Sequence, residues 1–192
     1  MKPVTLAVTC GDPEGIGPEV AAKALGALLP RDDVEFLLLG PHSLWGEALT
    51  RWAPRVRLLA DRSPGDPGHP PDGVTLLVPE GRGPERGGTS GGRIAMRALD
   101  AGIVLAQAGI ARGIVTAPLA KDRLPERDDA PGRWHGQTEI LASRCNADPL
   151  MAFWTGSLLV GVATDHIPLR DVPRSVTAAR VEGCLRLLAA AL

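Results

Sequence analysis

Short apolar runs alternate along this chain with longer amphipathic segments, the pattern of an α/β protein. Val4–Thr9 is β-branched and almost wholly apolar and reads as a buried strand. The Gly-rich run Cys10–Glu19 follows, and then Val20–Leu29 with helical spacing. Val34–Gly40 predicts a second strand, with Glu35 at its exposed start, and Ser43–Arg51 a short helix. Val56–Ala60 and Val74–Val78 predict two further strands. The runs Asp61–Gly73, which contains His69, and Pro79–Gly92 are rich in Gly, Pro and polar residues and predict exposed loops. Arg93–Ala108 shows an amphipathic helix pattern in Ile94, Met96, Ala98, Leu99, Ile103, Val104 and Leu105. Gly113–Pro118 predicts a strand running into a loop, Asp122–Gly132 a charged connection, and Gln137–Ala147 a helix. Phe153–Trp154 and Leu158–Ala163 read as buried strand material, so the segment after Ala163 emerges at a strand end. Val172–Leu192 predicts a last helix.

Composition narrows the function. A length of 192 residues suits one domain, or one and part of a second. The net charge of -1 provides no bulk field for nucleic acid or an anionic membrane. Aromatic residues make up only 3%, with no Tyr, which disfavours a base-stacking surface. Cys10, Cys145 and Cys184 are odd in number and lack CxxC spacing, so reduced thiols are expected rather than a zinc knuckle or redox pair. The first apolar run is broken by Thr5 and Thr9 and is too short for a signal peptide or a membrane span. A cytoplasmic protein is expected, without nucleic-acid or membrane partners.

Polar and ionisable side chains crowd into two stretches, Trp134–Glu139 and Thr164–Asp171. His166 is the first candidate there, with Asp165 beside it and Pro168 restraining the backbone. Lys121, just past a strand end, is placed to meet an anion or a carboxylate. Thr138 sits where it can cap a helix or hydrogen-bond a ligand, and Glu139 suits the positive end of the helix dipole. The loop glycines Gly11, Gly15 and Gly17 match neither a Walker A loop nor the dinucleotide fingerprint. Asp12 and Glu14 would repel a phosphate, so a Pro-stiffened connection is expected there. His42, His69 and His135 read as ordinary histidines.

Four segments in register resemble the 4-hydroxythreonine-4-phosphate dehydrogenase family of vitamin B6 biosynthesis: Thr9–Glu19, Val115–Lys121, Gly136–Glu139 and Thr164–Asp171. The resemblance implies an isocitrate/isopropylmalate dehydrogenase-like three-layer α/β/α fold, incomplete relative to the family. Residues 1–128 would be part of an N-terminal α/β domain and residues 129–192 the beginning of a second. It further implies NAD-dependent oxidation of 4-phosphohydroxy-L-threonine followed by decarboxylation, by a homodimer with a divalent metal (zinc, magnesium or cobalt). On the matching positions His166 is a metal ligand, Lys121 and Asp165 are catalytic candidates, and Gln137 and Thr138 contact substrate. Gln137 stands where the family usually has His, and Gln does not titrate near neutral pH. That departure leaves a dehydrogenase for a related hydroxy acid or diol as one alternative; the match to only about the N-terminal half of the family leaves another, a truncated non-catalytic remnant or ligand-binding half.

Overall fold

A computed structural model describes residues 3–59, 70–78 and 88–191; His69 and most of the two predicted exposed loops lie outside them. The strands are β1 (Val4–Thr9), β2 (Val34–Leu39), β3 (Arg57–Leu59), β4 (Gly73–Leu77), β5 (Gly113–Val115), β6 (Ala152–Trp154) and β7 (Leu159–Gly161). The helices are α1 (Gly17–Leu28), α2 (His42–Trp52), α3 (Ser90–Gln107), α4 (Gln137–Cys145), α5 (Val172–Ser175) and α6 (Ala178–Ala191). Two compact units divide the chain, Met1–Cys145 and Asn146–Leu192.

In the first unit β1 to β5 form a parallel sheet in the order β3-β4-β2-β1-β5. The crossovers β1-α1-β2 and β2-α2-β3 step in one direction, whereas β4-α3-β5 steps back. Right-handed connections therefore place α1 and α2 on one face and α3 on the other. This is the expected three-layer α/β/α arrangement. Leu37, Leu38 and Leu39 of β2 are fully buried, as both faces of a central parallel strand must be. They share a core with Ala22 and Leu25 of α1, Trp45 and Leu49 of α2, and Ala98 of α3. A second core joins Met96, Leu99 and Ile103 of α3 to Leu124, Trp134 and Ile140. Residues 129–145 fall within the first compact unit, to whose second core Trp134 and Ile140 belong.

Three local expectations change. Glu35 is not exposed but 2% accessible. β2 lies between β1 and β4, and the hydroxyls of Thr5 and Thr75 on those strands donate to the Glu35 carboxylate at 3.4 and 3.3 Å. α3 begins at Ser90 rather than Arg93, capped by the Thr89 hydroxyl, which accepts from the Gly92 amide at 3.1 Å. Gly91 and Gly92 read as loop residues, yet both are helical, and the Arg123 backbone packs so close to Gly92 that a Cβ there would lie 1.8 Å from its carbonyl oxygen. The last predicted helix is broken at Val176–Thr177 into α5 and α6, with the Thr177 hydroxyl accepting from the Arg180 amide at 3.2 Å.

The second unit also corrects the expectation of buried strands. β6 and β7 form an antiparallel pair whose large side chains face outward: Phe153 is 58% exposed and Trp154 76%. Hydrophobicity alone does not bury a strand; another layer has to cover it. Among the described residues of this unit only Cys184 is buried. No described helix is long and apolar enough to cross a membrane.

Candidate functional site

The carboxyl ends of β1 and β5 are adjacent in the sheet, and three segments of the first unit meet beyond them. Ala117–Pro118 forms their common floor. The Ala117 amide donates to the Thr9 hydroxyl at 3.2 Å, and the Asp12 amide donates to the Pro118 carbonyl at 3.0 Å. Gly11 makes this approach possible, since a Cβ there would lie 2.2 Å from that carbonyl oxygen and φ is +65°. From the other side the Gln137 side-chain amide donates to the Ala117 carbonyl at 2.9 Å, which ties the start of α4 to the same floor. Cys10 lies beneath, and burial pushes its thiol up to about 12, so it stays protonated and inert.

Lys121 opens a 3₁₀ turn, Lys121–Arg123, that leaves this floor. Its Nζ lies 3.8 Å from the position a Cβ on Gly136 would occupy, next to the first turn of α4. It forms no ion pair among the described residues. Asp12 and Glu14, expected from sequence to repel a phosphate, share a cation: Arg123 Nη1 donates to Asp12 Oδ2 at 3.1 Å and to Glu14 Oε2 at 2.6 Å.

Thr138, exposed on α4, makes no capping bond among the described residues. Glu139 reaches back past the helix start instead, accepting from the His135 amide at 2.7 Å. Arg127 pairs with Glu139 and, at 2.9 Å, with Asp129, while its guanidinium stacks 4.6 Å from the buried Trp134 ring. Arg144 approaches the same ring at 5.6 Å and pairs with Asp100 and Asp128. The His135 amide and then Arg127 hold the Glu139 carboxyl below its ordinary range, and Arg127 with Ser143 brings Asp129 down to about 2. A lowered carboxylate contributes stability above its unfolded pKa and loses it as pH falls toward the folded value. The anchoring of α4 is therefore expected to loosen as pH falls from about 4.5 to about 2. An NMR titration of the Ile140 amide, which donates to the Gly136 carbonyl, checks this. Glu139→Gln should weaken the anchor already at neutral pH; an acid transition identical in that variant would remove Glu139 from the account.

Asp165 and His166 belong to the second unit. His166 sits at φ +50°, its side chain 91% exposed, with Nε2 3.3 Å from Asp165 Oδ1. Among the described residues no cluster of three or more His, Cys, Asp or Glu side chains is arranged to hold a metal ion. One imidazole and an adjacent carboxylate fall short of the three protein ligands of a catalytic zinc site. The metal expected from the resemblance is therefore not fitted by these residues alone.

Residues 41–192 match the family described as "Pyridoxal phosphate biosynthetic protein PdxA". The chain belongs to the PdxA family. It is 34% identical over 204 residues to the 4-hydroxythreonine-4-phosphate dehydrogenase of Janthinobacterium sp. (strain Marseille), covering 100% of this chain and 58% of that relative. It is 31% identical to the D-threonate 4-phosphate dehydrogenase of Bordetella bronchiseptica (strain ATCC BAA-588 / NCTC 13252 / RB50), covering 95% of this chain and 53% of that one. The crystal structure of the Klebsiella pneumoniae 4-hydroxythreonine-4-phosphate dehydrogenase superposes with a TM-score of 0.77 at 28% identity, over 96% of this chain and 58% of that one. The chain thus spans somewhat over half the length of these PdxA relatives, and the relatives are named as dehydrogenases. Arg123, Arg127 and Arg144 escaped the sequence reading. For Arg123 and Arg127 the signal was present in the alternating charges of residues 122–132, which resemble those of a solvated connection until Asp12 and Trp134 supply the partners.

Proposed function

We propose that this chain carries the substrate-binding loops of an NAD-dependent dehydrogenase acting on 4-phosphohydroxy-L-threonine in pyridoxal phosphate biosynthesis. In this reading the protein is a cytoplasmic homodimer. The observation that carries it is the Lys121 ammonium beside Gly136, without an ion-pair partner among the described residues, next to the floor that Gln137 and the Gly-rich loop share. Lys121 offers a cation to the substrate phosphate or carboxylate, and Gln137 and Thr138 offer an amide and a hydroxyl to its polar groups. The substrate hydroxyl carbon would give hydride to NAD with loss of the hydroxyl proton, and the resulting 3-oxo acid would release its carboxylate as CO2. Asp165 and His166 supply one carboxylate and one imidazole toward a divalent cation, zinc, magnesium or cobalt. That is too few to derive a step through the metal.

The same shortfall favours a second reading for the chain alone, binding without turnover. Gln137 in place of the usual His adds a third, a related hydroxy acid such as the D-threonate 4-phosphate named for the Bordetella relative. Calorimetry with 4-phosphohydroxy-L-threonine and with D-threonate 4-phosphate, paired with an NADH assay, separates them. The purified chain is expected to bind one of these phosphorylated compounds, to lose about tenfold or more in affinity on Lys121→Ala, and to form no NADH. Substrate-dependent NADH formation would restore the full enzyme reading to this chain. Failure to bind either compound would count against all three.

A further inference from the structure

The Gly11-Asp12-Pro13-Glu14-Gly15 motif looks like an anion-binding turn, but its charges point elsewhere. Asp12 is 4% exposed and spends its side chain within the protein: Oδ1 accepts from the Glu14 amide at 3.0 Å, and both oxygens accept from Arg123 Nη1, at 3.4 and 3.1 Å. Glu14 accepts from the same nitrogen at 2.6 Å. Two carboxylates against one guanidinium leave a net negative charge, which excludes a phosphate from this loop. The backbone of Arg123 is engaged as well. Its carbonyl accepts from the Thr89 amide at 3.0 Å, at the cap of α3, and its amide donates to the Ala120 carbonyl at 3.1 Å. Side chain and main chain of Arg123 therefore fasten the Lys121–Arg123 turn to two separate elements, the β1–α1 loop and the start of α3.

We propose that Arg123 is a positioning residue for Lys121, and that the carboxylates of the Gly-rich motif serve to hold it. The motif then acts on ligand binding at second hand, by fixing the turn from which the Lys121 ammonium projects beside Gly136. This rests on the reading of Lys121 as a ligand-binding group, but the geometry it predicts is testable without turnover.

Amide hydrogen exchange at Arg123 and Leu124 reports the turn, and pulsed acetylation of Lys121 relative to Lys23 reports the side chain. Arg123→Gln is expected to raise exchange at both amides about tenfold, the scale of one lost charge-assisted hydrogen bond. The acetylation ratio should rise about threefold as Lys121 leaves Gly136. Arg123→Lys keeps the charge and should recover most of both signals, which a general loss of stability would not do. Glu14→Gln removes the 2.6 Å acceptor at a side chain 62% exposed and should show the same changes at about a third of the size; it serves if Arg123→Gln fails to fold. Unchanged exchange and labelling in Glu14→Gln and Arg123→Gln would overturn the proposal, and so would equal losses in Arg123→Lys and Arg123→Gln. Normal exchange and labelling responses in a chain that binds neither phosphorylated compound would count against the functional reading and leave the positioning role standing.

Discussion

Replacing Gly11 by Ala is expected to destabilise the first unit by about 3–5 kcal/mol, at the upper end for a single substitution. Two effects add. Ala at φ +65° loses about 1–2 kcal/mol from left-handed backbone strain alone. The larger part comes from the 2.2 Å approach to the Pro118 carbonyl, with Ala117 carbon atoms at 3.0 Å behind it. Neither neighbour is the flexible end of a long side chain, so the two loops have to separate. Separation breaks the 3.0 Å bond from the Asp12 amide to Pro118 and lifts the floor on which Gln137 rests. Gly109→Ala is the control: φ is +71°, and a Cβ there would meet nothing within 4 Å. It should lose only the strain component. Urea midpoints of the two variants measure the difference; equal losses would show that the close approach at Gly11 carries no energy.

The sheet was legible in the sequence because parallel strands buried on both faces are written as continuous apolar runs. Val4–Thr9 and Val34–Leu39 have no other solvent-compatible reading. Glu35 was misread because a lone acid beside such a run suggests an edge, and the Thr5 and Thr75 hydroxyls that satisfy it come from strands distant in sequence. Lys121 stood out by its position past a strand end and Gln137 by the crowding of polar residues and the family resemblance; the structure brings Gly136, beside Lys121, and the floor beneath Gln137 into one place. Arg123 did not stand out, since nothing local distinguishes it from Arg127 or Arg133; its partners are more than a hundred positions away. Gly92 had the opposite difficulty. A glycine pair before a helix reads as a loop, and only the Arg123 carbonyl facing it explains why a helix there needs to lack a Cβ. Local signals therefore gave the elements, while the contacts that make a site are long-range and had to be seen.

The second unit is expected not to fold when residues 146–192 are produced alone, whereas residues 1–145 should fold. Both hydrophobic cores lie wholly within the first unit. In the second, Cys184 is the one buried residue among those described, and Trp154, Leu169 and Leu185 are 76, 85 and 59% exposed. Ordering a backbone costs roughly 1–2 kcal/mol per residue, and a fully buried apolar side chain returns only about 1.5–3 kcal/mol. A unit of this size with one buried side chain cannot offset that cost through its half-buried contacts. The ion pair of Arg180 with Asp148, at 2.8 Å, and the bond from Arg180 to the Ala163 carbonyl, at 2.9 Å, are exposed or partly so and add little. Circular dichroism and urea titration of the two fragments decide the matter. A cooperative unfolding transition in 146–192 at micromolar concentration would contradict this account and would require an apolar core that its burial pattern does not contain. A broad, non-cooperative signal there, beside a sharp transition in 1–145, is the expected result. It would place the folding information for the Lys121 and Gln137 site entirely in the first unit, leaving Asp165 and His166 on a segment that does not hold its fold by itself.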